Sequence, residues 1–227
     1  MRKTLTAAAL AAATVLSTPA WAGNPDGHWQ IKLLGSGVLP DGKITQIDSA
    51  APAVAAALGA NPGTKANDNF VPTLAVEYFA TPNISIETIC CFSTHHVTGT
   101  GSIAGADIAD HVMILPATLM LKYHLPLKGV KPYVGVGPSV FFYIDEKPGA
   151  VPKALGADRL SMDNRVGVAL QAGFDVPINN SGMGLSVDAK RYFMKTRTHF
   201  YAGSTEVLST THKLDPWIIS GGVYYRF

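Results

Sequence analysis

Residues 165–176 read RVGVALQAGFDV and alternate without a fault. Val166, Val168, Leu170, Ala172, Phe174 and Val176 form one set; Arg165, Gly167, Ala169, Gln171, Gly173 and Asp175 form the other. Successive side chains of a strand point to opposite faces, so this is a strand with one unbroken apolar face and one small or polar face. KPYVGVGPSVFFYI (131–144) has the same period, with Pro132, Val134, Val136, Pro138, Val140, Phe142 and Ile144 against Tyr133, Gly135, Gly137, Ser139, Phe141 and Tyr143. The phase recurs in 72–79, 84–92, 113–124 and 184–190, and becomes less clear after Arg191; 29–37 and 214–227 complete a set of eight strands.

The connections alternate in length. ATPN (80–83), LPLKGV (125–130) and INNSGM (178–183) are short and turn-like, whereas about 39–69, 99–110, 145–163 and 201–212 are long. Short turns at one end and long loops at the other, joined by strands of about 10 residues, are the pattern of an outer-membrane barrel. Lipid offers nothing to a backbone N–H or C=O, and a closed barrel pairs them internally. A soluble sandwich would fill its polar face with Lys, Glu and Thr; here that face holds Gly, Ala and Ser with a few charges, which suits the narrow interior of a small barrel. Tyr78, Tyr123, Phe174, Tyr225 and Phe227 fall near the short-turn ends and Phe70, Phe92, Phe142, Phe193 and Trp217 near the long-loop ends, as two aromatic girdles would. The expected fold is all-β: an eight-stranded antiparallel transmembrane β-barrel with short periplasmic turns and long extracellular loops.

Composition agrees. The 227 residues are 47% hydrophobic and only 15% charged, against roughly 25% charged in a soluble domain. Outside the N-terminus there is no apolar run of about 20 residues, so membrane crossing falls to strands. MRKTLTAAALAAATVLSTPAWA (1–22) has two basic residues, an apolar stretch and Ala20-Trp21-Ala22, the features of a cleaved signal peptide. That leaves 23–227 as the barrel domain, exported to the outer membrane of a Gram-negative cell with lipid as its neighbour. The segment carries two of the 18 Lys and Arg and none of the 16 Asp and Glu, so the mature chain is near neutral, which argues against nucleic acid as a partner. Cys90 and Cys91 are adjacent and face apart on a strand, so they read as small apolar residues and not as a disulfide.

Several stretches resemble the OmpW family of outer-membrane proteins: LPATLMLKYHLPLKGVKPYVGVG (115–137), ALQAGFDVPIN (169–179), LSVDAKRYFMKT (185–196) and LDPWIISGGVYYRF (214–227), with TPNISIET (81–88) and STHHVTGTG (93–101) fitting more loosely. Cys90-Cys91 stands where small apolar residues are usual, and the first loop carries an Ala-rich insertion. The resemblance implies an eight-stranded barrel with a narrow apolar channel open to the outside, which small hydrophobic molecules enter and leave sideways into the bilayer. A structural or surface-interaction barrel without transport, or a small ion-conducting pore, are the alternatives.

The lumen-facing residues sort by depth. Lys32, Glu77, Glu87, Lys122, Asp175, Asp188, Lys190 and Arg226 lie toward the short turns. Charges in a dry interior persist only when paired, so an ion-pair network is expected to close the barrel floor. Toward the long loops lie Leu34, Val38, Ile89, Ile114, Met120, Phe141, Tyr143 and Ile218, an apolar funnel for small apolar solutes. Sideways exit needs a gap in the wall. Pro116 and Pro138 cannot donate to the ladder, and the gap is expected near Pro116, between the strands holding Ile89 and Ile114. In the first loop, SAAPAVAAALGANPG suggests a short helix with Ser49 as N-cap, Pro52 in the first turn and Gly59 at its end, lining the entrance.

His95, His96, His111 and His124 invite thoughts of hydrolysis or metal binding. His95 with Ser93 and His111 with Asp110 are only neighbours in sequence, no G-x-S-x-G occurs, and adjacent strand histidines face apart. Exposed loop histidines are the expectation, with no enzyme, cofactor or metal. The last strand should close the barrel against Trp29–Gly37. Its Ser220, Gly222, Tyr225 and Phe227 resemble the C-terminal signal by which barrels of this kind engage the outer-membrane assembly machinery.

Overall fold

The computed structural model describes residues 23–127 and 129–227; the expected signal peptide, 1–22, lies outside them. Eight strands close a barrel: β1 (Trp29–Leu39), β4 (Asn69–Phe79), β5 (Ile84–Cys90), β7 (Asp107–His124), β8 (Lys131–Pro148), β10 (Arg165–Pro177), β11 (Met183–Phe193) and β14 (Trp217–Arg226). Each pairs antiparallel with its neighbours, and β14 returns to β1 from Gln30↔Arg226 to Leu39↔Trp217. The turns joining strands at one rim, 80–83, 125–130 and 178–182, are the short connections read from the sequence.

The long connections are not loops. β2 (Lys43–Ala50), β9 (Arg159–Met162), β12 (Lys195–Ala202) and β13 (Thr205–Lys213) form a second sheet in the order β2-β13-β12-β9. β3 (Pro62–Ala66) and β6 (Ser93–Gly101) extend the wall beside β7. Helix α1 (Pro52–Leu58) and the single turn α2 (Ala150–Ala154) cover the top. In α1, Pro52 does occupy the first turn and Gly59, at φ 71°, ends it, but the residue at the N-cap is Ala51, and Ser49 donates to Glu206 instead, at 3.0 Å.

Along the lower barrel the outward set is apolar and fully presented to lipid: Leu33, Leu74, Leu119, Val134, Leu170 and Leu185 are all exposed. Tyr78, Tyr123 and Phe174 ring one end of this band and Phe70, Phe92, Phe142, Phe193 and Trp217 the other. Above the second ring the pattern turns over. On β12 the outward residues are Lys195, Arg197 and His199, and the inward ones Thr196, Thr198 and Phe200. Burial keeps its phase from Gly184 to Phe200; only the chemistry of the two faces exchanges, because the outer face now meets water.

Candidate functional site

The interior has two storeys. In the lower one, Lys32, Lys122 and Lys190 reach into a group of four carboxylates, all buried. Lys122 Nζ lies 2.8 Å from both Glu77 and Glu87; Lys32 lies 3.2 Å from Glu77, 3.2 Å from Asp175 and 3.5 Å from Glu87; Lys190 lies 2.8 Å from Asp188 and 3.4 Å from Glu87. Gln30 donates to Asp175 (2.9 Å) and Gln171 to Glu87 (3.0 Å). The ammonium groups of Lys122 and Lys32 lie 3.8 and 4.7 Å from the centroid of the Tyr133 ring. Every carboxylate thus has a cation or donor against it, the condition for charge to persist in a narrow lumen.

Arg226 does not join this network as an ion pair. It is the last residue of β14, below the carboxylates, and it donates from Nε to the Gly27 carbonyl at 2.7 Å while its guanidinium lies 3.5 Å from the centroid of Phe79. His124 is buried in the floor, its Nε2 2.9 Å from Glu77.

The upper storey is a stack of three apolar spaces. The deepest, ≈ 390 Å³, is walled by Val38, Pro40, Cys91, Ile114, Pro116, Phe141, Leu214 and Ile218. Above it a space of ≈ 560 Å³ shares Pro40, His95, Ile114 and Leu214 and adds Val112, Leu160, Met162, Thr198 and Phe200. The topmost, ≈ 640 Å³, shares Ile108, Phe200 and His212 with the second and is lined by Val54, Ala57 and Leu58 of α1. The helix therefore lines the topmost space. Among the described residues, no Asp, Glu, Lys or Arg lines any of the three.

Of the eight residues expected in the funnel, Val38, Ile114, Phe141 and Ile218 line the deepest space, and Ile89, Met120 and Tyr143 pack in the same apolar cluster. Leu34 and Met120 do not line it. The stagger of tilted strands sets Met120 opposite Glu87, and Leu34 one inward step above Lys32, so both sit at the floor's upper edge, Met120 within the apolar cluster and Leu34 outside it. None of Pro40, Val112, Phe200 and Leu214 has a place in the funnel as read from the sequence: Pro40 comes from a segment read as a loop, Phe200 from beyond Arg191 where the phase is less clear, Val112 from just before a strand and Leu214 from the start of the last one.

The wall is interrupted beside the deepest space. β5 pairs with β7 as far as Ile89↔Thr118, and pairing resumes between β6 and β7 at Ser93↔Ile114. Cys90, Cys91 and Phe92 on one side, and Leu115, Pro116 and Ala117 on the other, have no ladder between them. On its other flank β4 pairs with β5 only up to Leu74↔Cys90, so Cys91 and Phe92 pair with neither neighbour. Pro116 lacks the N–H that would continue the ladder. Cys90 is exposed, Cys91 buried against the deepest space, and both are free thiols. Pro138 differs. The β7–β8 ladder skips it, but it faces lipid, and a side chain on adjacent Gly137 would collide with the Leu119 carbonyl. The backbones stay tight there, so Pro138 interrupts hydrogen bonding without parting the strands.

His95 and His212 are buried, unlike His96 and His111, which meet Asp110 and Asp145 outside. His95 Nε2 lies 3.1 Å from Ser93 Oγ, closer than sequence adjacency promised, but its Nδ1 is held by the Asn67 carbonyl at 2.9 Å and not by a carboxylate. On the last strand, Ser220 faces inward and bonds Ser36 at 2.8 Å, Gly222 lets the backbone of Leu33 approach, and Tyr225 and Phe227 face outward as a ring pair 5.8 Å apart.

Comparison with known proteins places this arrangement. A family profile described as the OmpW family matches residues 25–227. Outer membrane protein W of Salmonella typhi is 30% identical over 229 residues, spanning 99% of this chain and 100% of that one. The outer-membrane protein y4mB of Sinorhizobium fredii is 32% identical over 226 residues, 96% of this chain and 90% of that one. Among solved structures, OprG of Pseudomonas aeruginosa superposes with a TM-score of 0.74 at 23% identity, over 91% of this chain and 98% of that one. AlkL, determined in lipid bilayers, superposes with a TM-score of 0.68 at 25% identity, over 93% and 95%. The chain belongs to the OmpW family and is an outer-membrane β-barrel protein.

Proposed function

We propose that the protein is a passive channel for small hydrophobic molecules, which enter at the extracellular mouth, descend the apolar stack and leave sideways into the bilayer. The observation that carries this reading is where the stack ends: against the unpaired stretch of wall at Cys91 and Pro116, and above a floor filled by paired charge. A small apolar molecule gains roughly 25 cal/mol for each Å² it removes from water in such a space. Going on downward would require it to part seven ion pairs among buried groups. The same floor speaks against an ion path along the axis.

The register supplies the test. With Ile89 opposite Thr118 and Ser93 opposite Ile114, Cys91 stands across from Pro116. A Pro116→Cys chain, with Cys90→Ser to leave one partner, can be locked by oxidation and released by reduction. Uptake of an apolar probe by cells carrying it should fall several-fold on oxidation and recover on reduction. Uptake unchanged in fully cross-linked protein would overturn lateral release.

A further inference from the structure

The apolar stack contains polar atoms, and almost all of them are spoken for. Thr64 donates to the Gly42 carbonyl at 2.6 Å, so toward His212 Nδ1, 3.3 Å away, its oxygen can only accept. His212 therefore carries its proton on Nδ1, and its Nε2 accepts from Thr210 at 2.8 Å. His95 repeats the scheme, with Nδ1 donating to the Asn67 carbonyl and Nε2 accepting from Ser93. Both imidazoles are held neutral with both nitrogens engaged. Burial pushes the His212 pKa down to about 4, which agrees with this assignment.

Tyr143 Oη in the same cluster also lacks a partner among the described residues but lines none of the three spaces, so among the residues that do line them Thr198 is the exception. It sits on β12 opposite Met162 and Thr210, lines the middle space, and is only 5% exposed. Its hydroxyl has no hydrogen-bond partner, since that of Thr210 is turned to His212. Buried hydroxyls are normally satisfied, and an orphan one lining a cavity marks where a ligand atom can complete the site.

We propose that this path favours neutral, mostly apolar molecules carrying one oxygen function (an alcohol, aldehyde, ketone or ester) and that Thr198 is the group that recognises that oxygen. The inference rests on the channel reading above and narrows its substrate class. Saturated hydrocarbons pass without using Thr198. Carboxylates are rejected, because no cation lines the stack and both histidines are committed as neutral groups.

The test compares uptake of an n-alkane, a methyl ketone and a fatty carboxylate of matched length. Cells carry the wild-type chain, Thr198→Val or no protein, at neutral pH. The ketone should enter wild-type cells about fivefold faster than the alkane, roughly what one net hydrogen bond supplies. Thr198→Val, of the same shape, should remove that advantage while alkane entry stays well above that of cells without the protein, which also shows that the variant is folded; Thr198→Ser should keep the advantage. A ketone no faster than the alkane, an advantage surviving in Thr198→Val, or carboxylate entry matching the ketone would each overturn the selectivity while leaving the channel standing. Alkane and ketone rates no higher than in cells without the protein would overturn the channel reading, and this inference with it.

Discussion

The lower and upper halves of this molecule use the same strands in opposite ways. Below the upper aromatic ring the outside is apolar and the inside polar; above it, Lys195, Arg197 and His199 point out while Phe200, Leu160 and Val112 point in. The lower half behaves as a membrane protein whose buried charges are paired with one another, with Gln171 Oε1 the one floor oxygen among the described residues that lacks a partner. The upper half behaves as a soluble barrel whose apolar interior has not been packed to closure. The backbone does not register the change, since burial alternates without a slip along β11 and β12. The surrounding solvent alone sets which face must be apolar. A charged interior and an apolar one can therefore be stacked in one continuous wall.

If that contrast is right, removing one charge below should be far more disruptive than a comparable change above. Lys122→Met takes away the cation 2.8 Å from both Glu77 and Glu87, and should cost about 3–5 kcal/mol by leaving buried carboxylates short of a partner. Denaturant unfolding in detergent checks this, with Thr198→Val as the upper-half control, expected within about 1 kcal/mol of wild type.

The second probe is acid, which should act on the upper half first. His212 has its folded-state pKa held at about 4, below the ordinary 6.5. The unfolded mouth therefore takes up the proton first. Stability from the neutral ring is complete above pH 6.5 and is lost as pH falls toward 4, by up to about 3 kcal/mol. Hydrogen exchange should quicken in β12 and β13 over that window while amides of β1 and β14 hold their protection. His212→Gln should flatten the response, and equal acid sensitivity in both halves would erase the distinction.

The smallest effect belongs to Arg226. Among the described residues it touches a ring and a carbonyl and forms no ion pair with a carboxylate, so Arg226→Ala should cost only about 1 kcal/mol. A loss as large as that of Lys122→Met would place it back among the floor's ion pairs.

The inversion also explains which parts were legible in the sequence. Glu77, Glu87, Lys122 and Asp188 stand out because each is a charge at every second place in an otherwise apolar run. Phe200, Thr198 and Leu160 do not, because their strands carry polar residues on the watery side and threonines on the dry one, and the contrast that marks a strand fades. Leu160 falls in a segment that reads as a loop, Thr198 and Phe200 lie beyond Arg191 where the phase is less clear, and the upper two spaces are lost with them. Pro116 was legible as a break because proline lacks a donor whatever surrounds it. Depth was less so: Met120 looked like funnel when ranked along its own strand, and only pairing with Glu87 puts it on the floor.

At the unpaired stretch the wall is a single strand thick, and its two neighbouring thiols lie in different solvents, Cys90 in lipid and Cys91 in the apolar space. The chain thereby holds a native pair of chemical reporters one residue apart. A thiol reagent confined to the bilayer meets the first, one arriving through the mouth meets the second, and the order in which they react tells from which side a molecule came.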